Sequence, residues 1–141
     1  MLKKPLQAEI LIKVPFYDVD QMRYVWHGNY IKYFERARCE LLEKINYDYS
    51  AMEASGYMWP IIDLRLRYVK PAFFNHTVRV CAELVEYENR LKINYQVFDQ
   101  DSGERLTKGY TMQVAVDIST EEMCYASPAI LLEQLACHGY L

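Results

Sequence analysis

The sequence predicts an α+β protein: a five-stranded antiparallel sheet with one long helix lying on its apolar face. Three observations carry this. Five runs alternate apolar and polar residues with a period of two, the mark of strands with one face covered. One stretch, residues 29–45, changes to a period of three or four, as a core-facing helix does. Turn-forming residues such as Pro71, Asn89 and Asp101-Ser102-Gly103 fall between these runs. The chain has 141 residues, within the ~100–200 that make one domain, so residues 1–141 are read as a single domain.

Residues 8–16 place Ile10, Ile12, Val14 and Phe16 on one face and Glu9, Lys13 and Pro15 on the other. Pro15 cannot donate to a ladder and is expected to face outward near the strand end. In the long helix, Tyr30, Phe34, Ala37, Leu41 and Ile45 form the buried stripe, and Glu40 and Lys44 pair in the favourable order. Gly28 or Asn29 is the expected cap. Ser50 and Glu53 have the spacing of a capping box that would open a shorter helix, with Gly56 stopping it.

Residues 61–69 alternate Ile62, Leu64, Leu66 and Tyr68 with Asp63, Arg65 and Arg67. Runs at 77–84, 91–98 and 105–116 behave likewise, punctuated by Pro71, Asn89 and Asp101-Ser102-Gly103. Four successive strands of this kind read as an antiparallel meander. Ser127 then caps a last helix with Pro128 at its first position, running to about Cys137 and ended by Gly139. One helix cannot cover both faces of such a sheet, so pairing with a second copy is expected.

Composition narrows the function. Hydrophobic residues are 52% and charged ones 25%, ordinary for a globular chain and not for a disordered one. Sixteen Lys+Arg against nineteen Asp+Glu give a net charge of −3, which argues against nucleic-acid or anionic-membrane binding. Thirteen tyrosines suggest half-buried rings with wet tips. Cys39, Cys81, Cys124 and Cys137 show no metal-binding or redox spacing, so reduced thiols in a cytoplasmic protein are expected. The N-terminal apolar run is broken by Glu9, Lys13 and Pro15, unlike a secretion signal. No run approaches the ~18 apolar residues of a membrane span.

The stretch Phe16–Tyr30 joins the first strand to the long helix and holds Asp18, Asp20 and His27. A helix start offers unpaired N–H groups and a partial positive charge, suited to a developing oxyanion. A carboxylate facing a carbonyl held there is the minimum set for acyl transfer to water. Read alone, Asp18 and Asp20 are better explained as turn-bonding residues, and His27 as a packing residue at a helix start. A calcium loop fails because Met22 and Arg23 stand where it needs acids and glycine.

The run YDVDQMRYVWHGNYIKYFERAR resembles the signature of hotdog-fold thioesterases of the 4-hydroxybenzoyl-CoA thioesterase type, in particular their YbgC-like acyl-CoA branch. The later YVKPAFFNHTVRV is similar to the Tyr-x-x-Pro-Ala stretch of the same family, and the match in element order spans about residues 8–118. The resemblance implies a hotdog fold, a sheet wrapped around the long helix. It also implies homodimers or homotetramers with active sites at subunit junctions, no metal or organic cofactor, and an acyl-CoA or acyl-carrier-protein substrate. Asp20 matches the catalytic carboxylate, acting as nucleophile or as base for water. His27 matches the position whose amide, at the helix start with Gly28, polarises the thioester carbonyl, its imidazole placed to assist. Asp18 matches a loop-supporting acid.

The chain departs from that pattern at Met22-Arg23, where many relatives carry glycines, and the bulkier pair is expected to reshape the acyl pocket or bring a cation to its rim. Trp26, Tyr57, Met58 and Trp59 are the further expected pocket residues. Arg90 is the candidate for coenzyme A phosphates, beside Lys92 but diluted by Glu86 and Glu88. The alternative reading is a non-catalytic acyl-binding or scaffolding protein of the same fold.

Overall fold

In the computed structural model, which describes residues 1–141, the alternating runs pair edge to edge. The elements in order are β1 (Gln7–Lys13), a 3-10 turn (Phe16–Asp18), α1 (Asn29–Glu43), α2 (Tyr49–Ala54), β2 (Tyr57–Met58), β3 (Ile61–Tyr68), β4 (Thr77–Glu86), β5 (Leu91–Asp99), β6 (Arg105–Gln113), β7 (Val116–Asp117) and α3 (Ala129–Cys137). All pairings are antiparallel, and the main sheet has five strands in the order β1-β4-β5-β6-β3. β2 and β7 form a separate two-stranded ladder.

α1 lies on the inner face of this sheet and is its longest helix. The stripe expected from its period is buried: Tyr30, Phe34, Ala37 and Leu41 are almost wholly inaccessible. Each such ring or branched chain contributes about 1.5–3 kcal/mol by leaving water. Phe34 stacks on Tyr95 of β5 with ring centroids 4.3 Å apart and planes 5° apart. This approach requires Gly109 on β6, where a Cβ would stand 2.2 Å from the Arg65 carbonyl oxygen and 2.9 Å from the Phe34 ring.

The meander is only partly realised. β4, β5 and β6 follow one another across the sheet, but β3 joins the far side of β6 and β1 takes the place beside β4. The cause is the connection 69–76, which crosses the end of α1 instead of turning tightly. It is held there by Val25 N–H to the Ala72 carbonyl at 2.8 Å, Phe74 N–H to Arg23 at 2.9 Å and Val14 N–H to His76 at 2.9 Å. Period-two alternation reports which face a side chain takes, not which strand lies beside it.

Smaller corrections follow from local hydrogen bonding. α2 is capped by Asp48, whose Oδ1 accepts from the Ala51 amide at 2.9 Å, and not by Ser50. Pro128 takes the cap position of α3, leaving the Ser127 hydroxyl unpaired. The expected strand 105–116 breaks after Gln113 and resumes as β7. No helix is long and apolar enough to cross a membrane.

The two edge strands differ. β3 exposes Ile61, Ile62 and Tyr68 along a strand that pairs on one side only. Gly109→Ala is expected to press on the Arg65 carbonyl of β3 and on the Phe34 ring, and to destabilise the protein by about 1–3 kcal/mol; urea unfolding followed by circular dichroism measures this.

Candidate functional site

The loop between β1 and α1 folds back on itself. After the 3-10 turn, Val19 bridges to Val25 and Tyr24 bridges to Phe73. Asp20 closes the tip: its Oδ1 accepts from the amides of Met22 at 2.9 Å and Tyr24 at 3.2 Å, while its own N–H donates to the Tyr24 carbonyl at 2.8 Å. The turn forces Arg23 to a φ of 64°. A side chain there costs roughly 1–2 kcal/mol that glycine avoids. The Asp20 carboxylate is exposed, and only Oδ1 is engaged.

Asp18 is placed oppositely. It is 3% exposed; Oδ1 accepts from Lys32 Nζ at 2.6 Å and Oδ2 from the Tyr33 hydroxyl at 2.7 Å. Its carbonyl accepts from the Trp26 amide at 2.9 Å and from Asn29 Nδ2 at 2.8 Å. The loop is thus bolted to the first turns of α1. Burial, with the Asp18 carboxylate reinforcing it, pushes the Tyr33 phenol far above its ordinary range, so the proton stays on tyrosine.

His27 immediately precedes Gly28, the cap residue of α1. Neither amide has an acceptor within the protein. The His27 carbonyl accepts from the Tyr68 hydroxyl at 2.9 Å, and its ring lies 4.6 Å from that of Trp26. A Cβ on Gly28 would fall 2.1 Å from the Trp26 ring, so glycine permits the indole to fold over the helix start.

Asp20 and His27 line one open cavity of about 270 Å³, together with Tyr30, Tyr68 and Lys70. The two residues of the expected constellation are therefore brought together. Tyr30 donates no bond into this space; its hydroxyl accepts from the Ala72 amide at 3.3 Å, and burial raises its pKa. Tyr68, Lys70 and Pro71 were not among the expected site residues. Their signal was the Tyr-x-x-Pro-Ala stretch, whose register against the loop only the fold supplies.

Other expected pocket residues lie elsewhere. Met22 is exposed, and Arg23 holds its guanidinium over the Phe74 ring at 4.9 Å; neither lines the cavity. Trp59 is buried with its indole N–H donating to the Tyr47 hydroxyl at 3.2 Å. Tyr57 and Met58 pair with β7. Arg90 pairs with Glu86 at 3.0 Å and does not line this cavity.

An antiparallel sheet wrapped on one long helix, with Asp20 and His27 lining one cavity beside the start of that helix, is the architecture of hotdog-fold proteins. The family model of the thioesterase-like superfamily matches residues 14–134, and the chain belongs to that superfamily. It is 29% identical over 107 residues to a Bacillus subtilis protein provisionally named acyl-CoA thioesterase YneP, covering 75% of this chain and 77% of that one. The crystal structure of a DHNA-CoA thioesterase from Staphylococcus aureus superposes with a TM-score of 0.77 at 28% identity, over 84% of this chain and 80% of that one. A Thermus thermophilus protein matches with a TM-score of 0.81 at 30% identity, over 92% and 98% of the two chains.

Asp18→Ala is expected to leave Lys32 and the Tyr33 hydroxyl without their acceptor and to destabilise the protein by about 1–3 kcal/mol. Tyr33→Phe should cost less, and denaturant unfolding of both variants orders them.

Proposed function

We propose that the protein hydrolyses acyl-CoA thioesters at the cavity shared by Asp20 and His27. The observation that carries this is the pairing of a carboxylate with one unengaged oxygen and a helix start whose His27 and Gly28 amides lack acceptors. The thioester carbonyl sits with its oxygen toward those amides. Either Asp20 removes a proton from water as the water attacks, or its free oxygen attacks directly and water cleaves the resulting anhydride. In both routes the tetrahedral oxyanion is held by fixed N–H groups, whose orientation is already set before reaction. Collapse expels the thiolate, which takes up a proton, and the products are a free acid and a thiol.

Asp20 is held still for this role by the two amides on Oδ1, which leave the other oxygen without a partner in the protein. The relatives named for acyl-CoA thioester hydrolysis support coenzyme A as the carrier. The exposed apolar edge of β3 supports a homodimer. A long unpaired edge strand invites a copy of itself, and β3 leads directly into Tyr68, Val69 and Lys70 of the cavity. A second copy seated there would close a site that is open in one chain.

Asp20→Asn is expected to keep the turn, since the amide oxygen still accepts, and to lower kcat by about 10²–10⁴-fold. The assay is a panel of acyl-CoA and acyl-carrier-protein thioesters, with thermal unfolding confirming a folded variant. Unchanged turnover would remove Asp20 from the reaction. Acyl ligand retained by the wild-type protein with no thioester cleaved would favour the non-catalytic binding reading.

A further inference from the structure

A second cavity lies on the outer face of the sheet, away from α1, and the reaction above does not use it. It measures about 450 Å³ and is lined by Arg65 and Arg67 of β3, Lys92 of β5, and Arg105 and Lys108 of β6. Strand register assembles it: Arg67 faces Lys108, which faces Gln96, and Arg65 faces Tyr110, which faces Asn94. No carboxylate lines the cleft. None of the five cations has a carboxylate oxygen within 4.0 Å, although six other ion pairs form across the molecule. Lys92 lies instead over the Tyr110 ring at 4.6 Å, and Asp63 takes the Tyr110 hydroxyl at 3.1 Å.

Five unneutralised like charges on neighbouring strands repel one another, and a bound polyanion relieves that repulsion. Their concentration contrasts with the net charge of −3 for the whole chain. Guanidinium groups favour phosphate because their forked N–H donors match its oxygens two at a time. The volume falls within the ~300–1,000 Å³ of small-molecule sites. Tyr110 offers a ring for stacking, and Asn94 and Gln96 offer amides to a base edge.

We propose that this cleft binds a nucleotide bearing more than one phosphate and, resting on the thioesterase reading above, that the nucleotide is the phosphorylated end of the coenzyme A substrate. The path between the sites is short along the chain. Arg67 points into the cleft while its neighbour Tyr68 lines the reaction cavity on the other face. Both sites reach the same end of β3 and β6, where the Val69 and Lys70 amides donate to the Leu106 carbonyl at 2.9 and 3.0 Å. A flexible acyl-bearing arm can pass round that end. Arg90, paired with Glu86, does not line this cleft.

The test titrates the intact protein with adenosine 3′,5′-bisphosphate, followed by calorimetry and amide NMR. Binding is expected to saturate, to shift the amides of 92–96 and 105–110, and to weaken as salt rises from about 50 to about 500 mM. Arg105→Gln with Lys108→Gln, both on β6 and not on the edge strand itself, should lower affinity at least about tenfold. The single Lys108→Gln, with thermal unfolding alongside, guards against a misfolded double variant. The double variant should raise KM for an acyl-CoA about tenfold with kcat held within about twofold, and should leave hydrolysis of the same acyl group on phosphate-free pantetheine unchanged. No shifts on those strands, undiminished binding by the variants, or the same shifts produced only by an acidic carrier protein would each overturn the proposal. Bisphosphate binding lost with KM unmoved would overturn its assignment to the substrate and leave a free nucleotide as the ligand. Should no thioester be cleaved at all, the calorimetric result still stands or falls by itself.

Discussion

A carboxylate taken out of water survives only when its oxygens are fully engaged, since an uncompensated buried charge costs several kcal/mol. Asp18 meets that demand with Lys32 and Tyr33 of α1, and its carbonyl takes Trp26 and Asn29 as well. Everything around the reaction cavity inherits its position from this knot. The knot draws the loop onto α1 and so presents His27 at the helix start. It also lays the loop where the 72–74 segment can zip to Val25 and Arg23. Without it, Asp20 would sit on a free loop, and a displacement of about 1 Å in such a site can cost ~10²-fold in rate.

Asp20 combines two tasks that usually compete. One oxygen organises a turn and the other has no partner in the protein, while the residue lines the cavity, so a side chain placed to meet a ligand also builds its own turn. The strain at Arg23 belongs to the same device. Functional loops commonly store such backbone strain where surrounding structure enforces it, and here the enforcing structure is the Asp20 turn with Arg23 laid over Phe74.

The sheet separates chemistry by face. Toward α1 it presents apolar side chains and stacked rings; on the other side β3, β5 and β6 gather cations without partners. Because successive side chains alternate, one strand serves both faces, and Arg67 and Tyr68 are adjacent residues with different surroundings.

Much of this was legible in the amino-acid order. Period-two runs located β1, β3, β4, β5 and β6 within a few residues, the change of period located α1, and the Asp-x-Asp and His-Gly-Asn residues marked the loop that carries the candidate site. Side-chain alternation and helical stripes are local properties, set by backbone geometry that neighbouring residues share. Strand order, the burial of Trp59 against Tyr47, the loss of Arg90 to Glu86 and the gathering of Arg65, Arg67, Lys92, Arg105 and Lys108 were decided only in the folded chain. Each of those except the Arg90 pair depends on register between segments well apart in sequence. Such register is selected by the packing of the whole sheet against α1, and no local pattern encodes it.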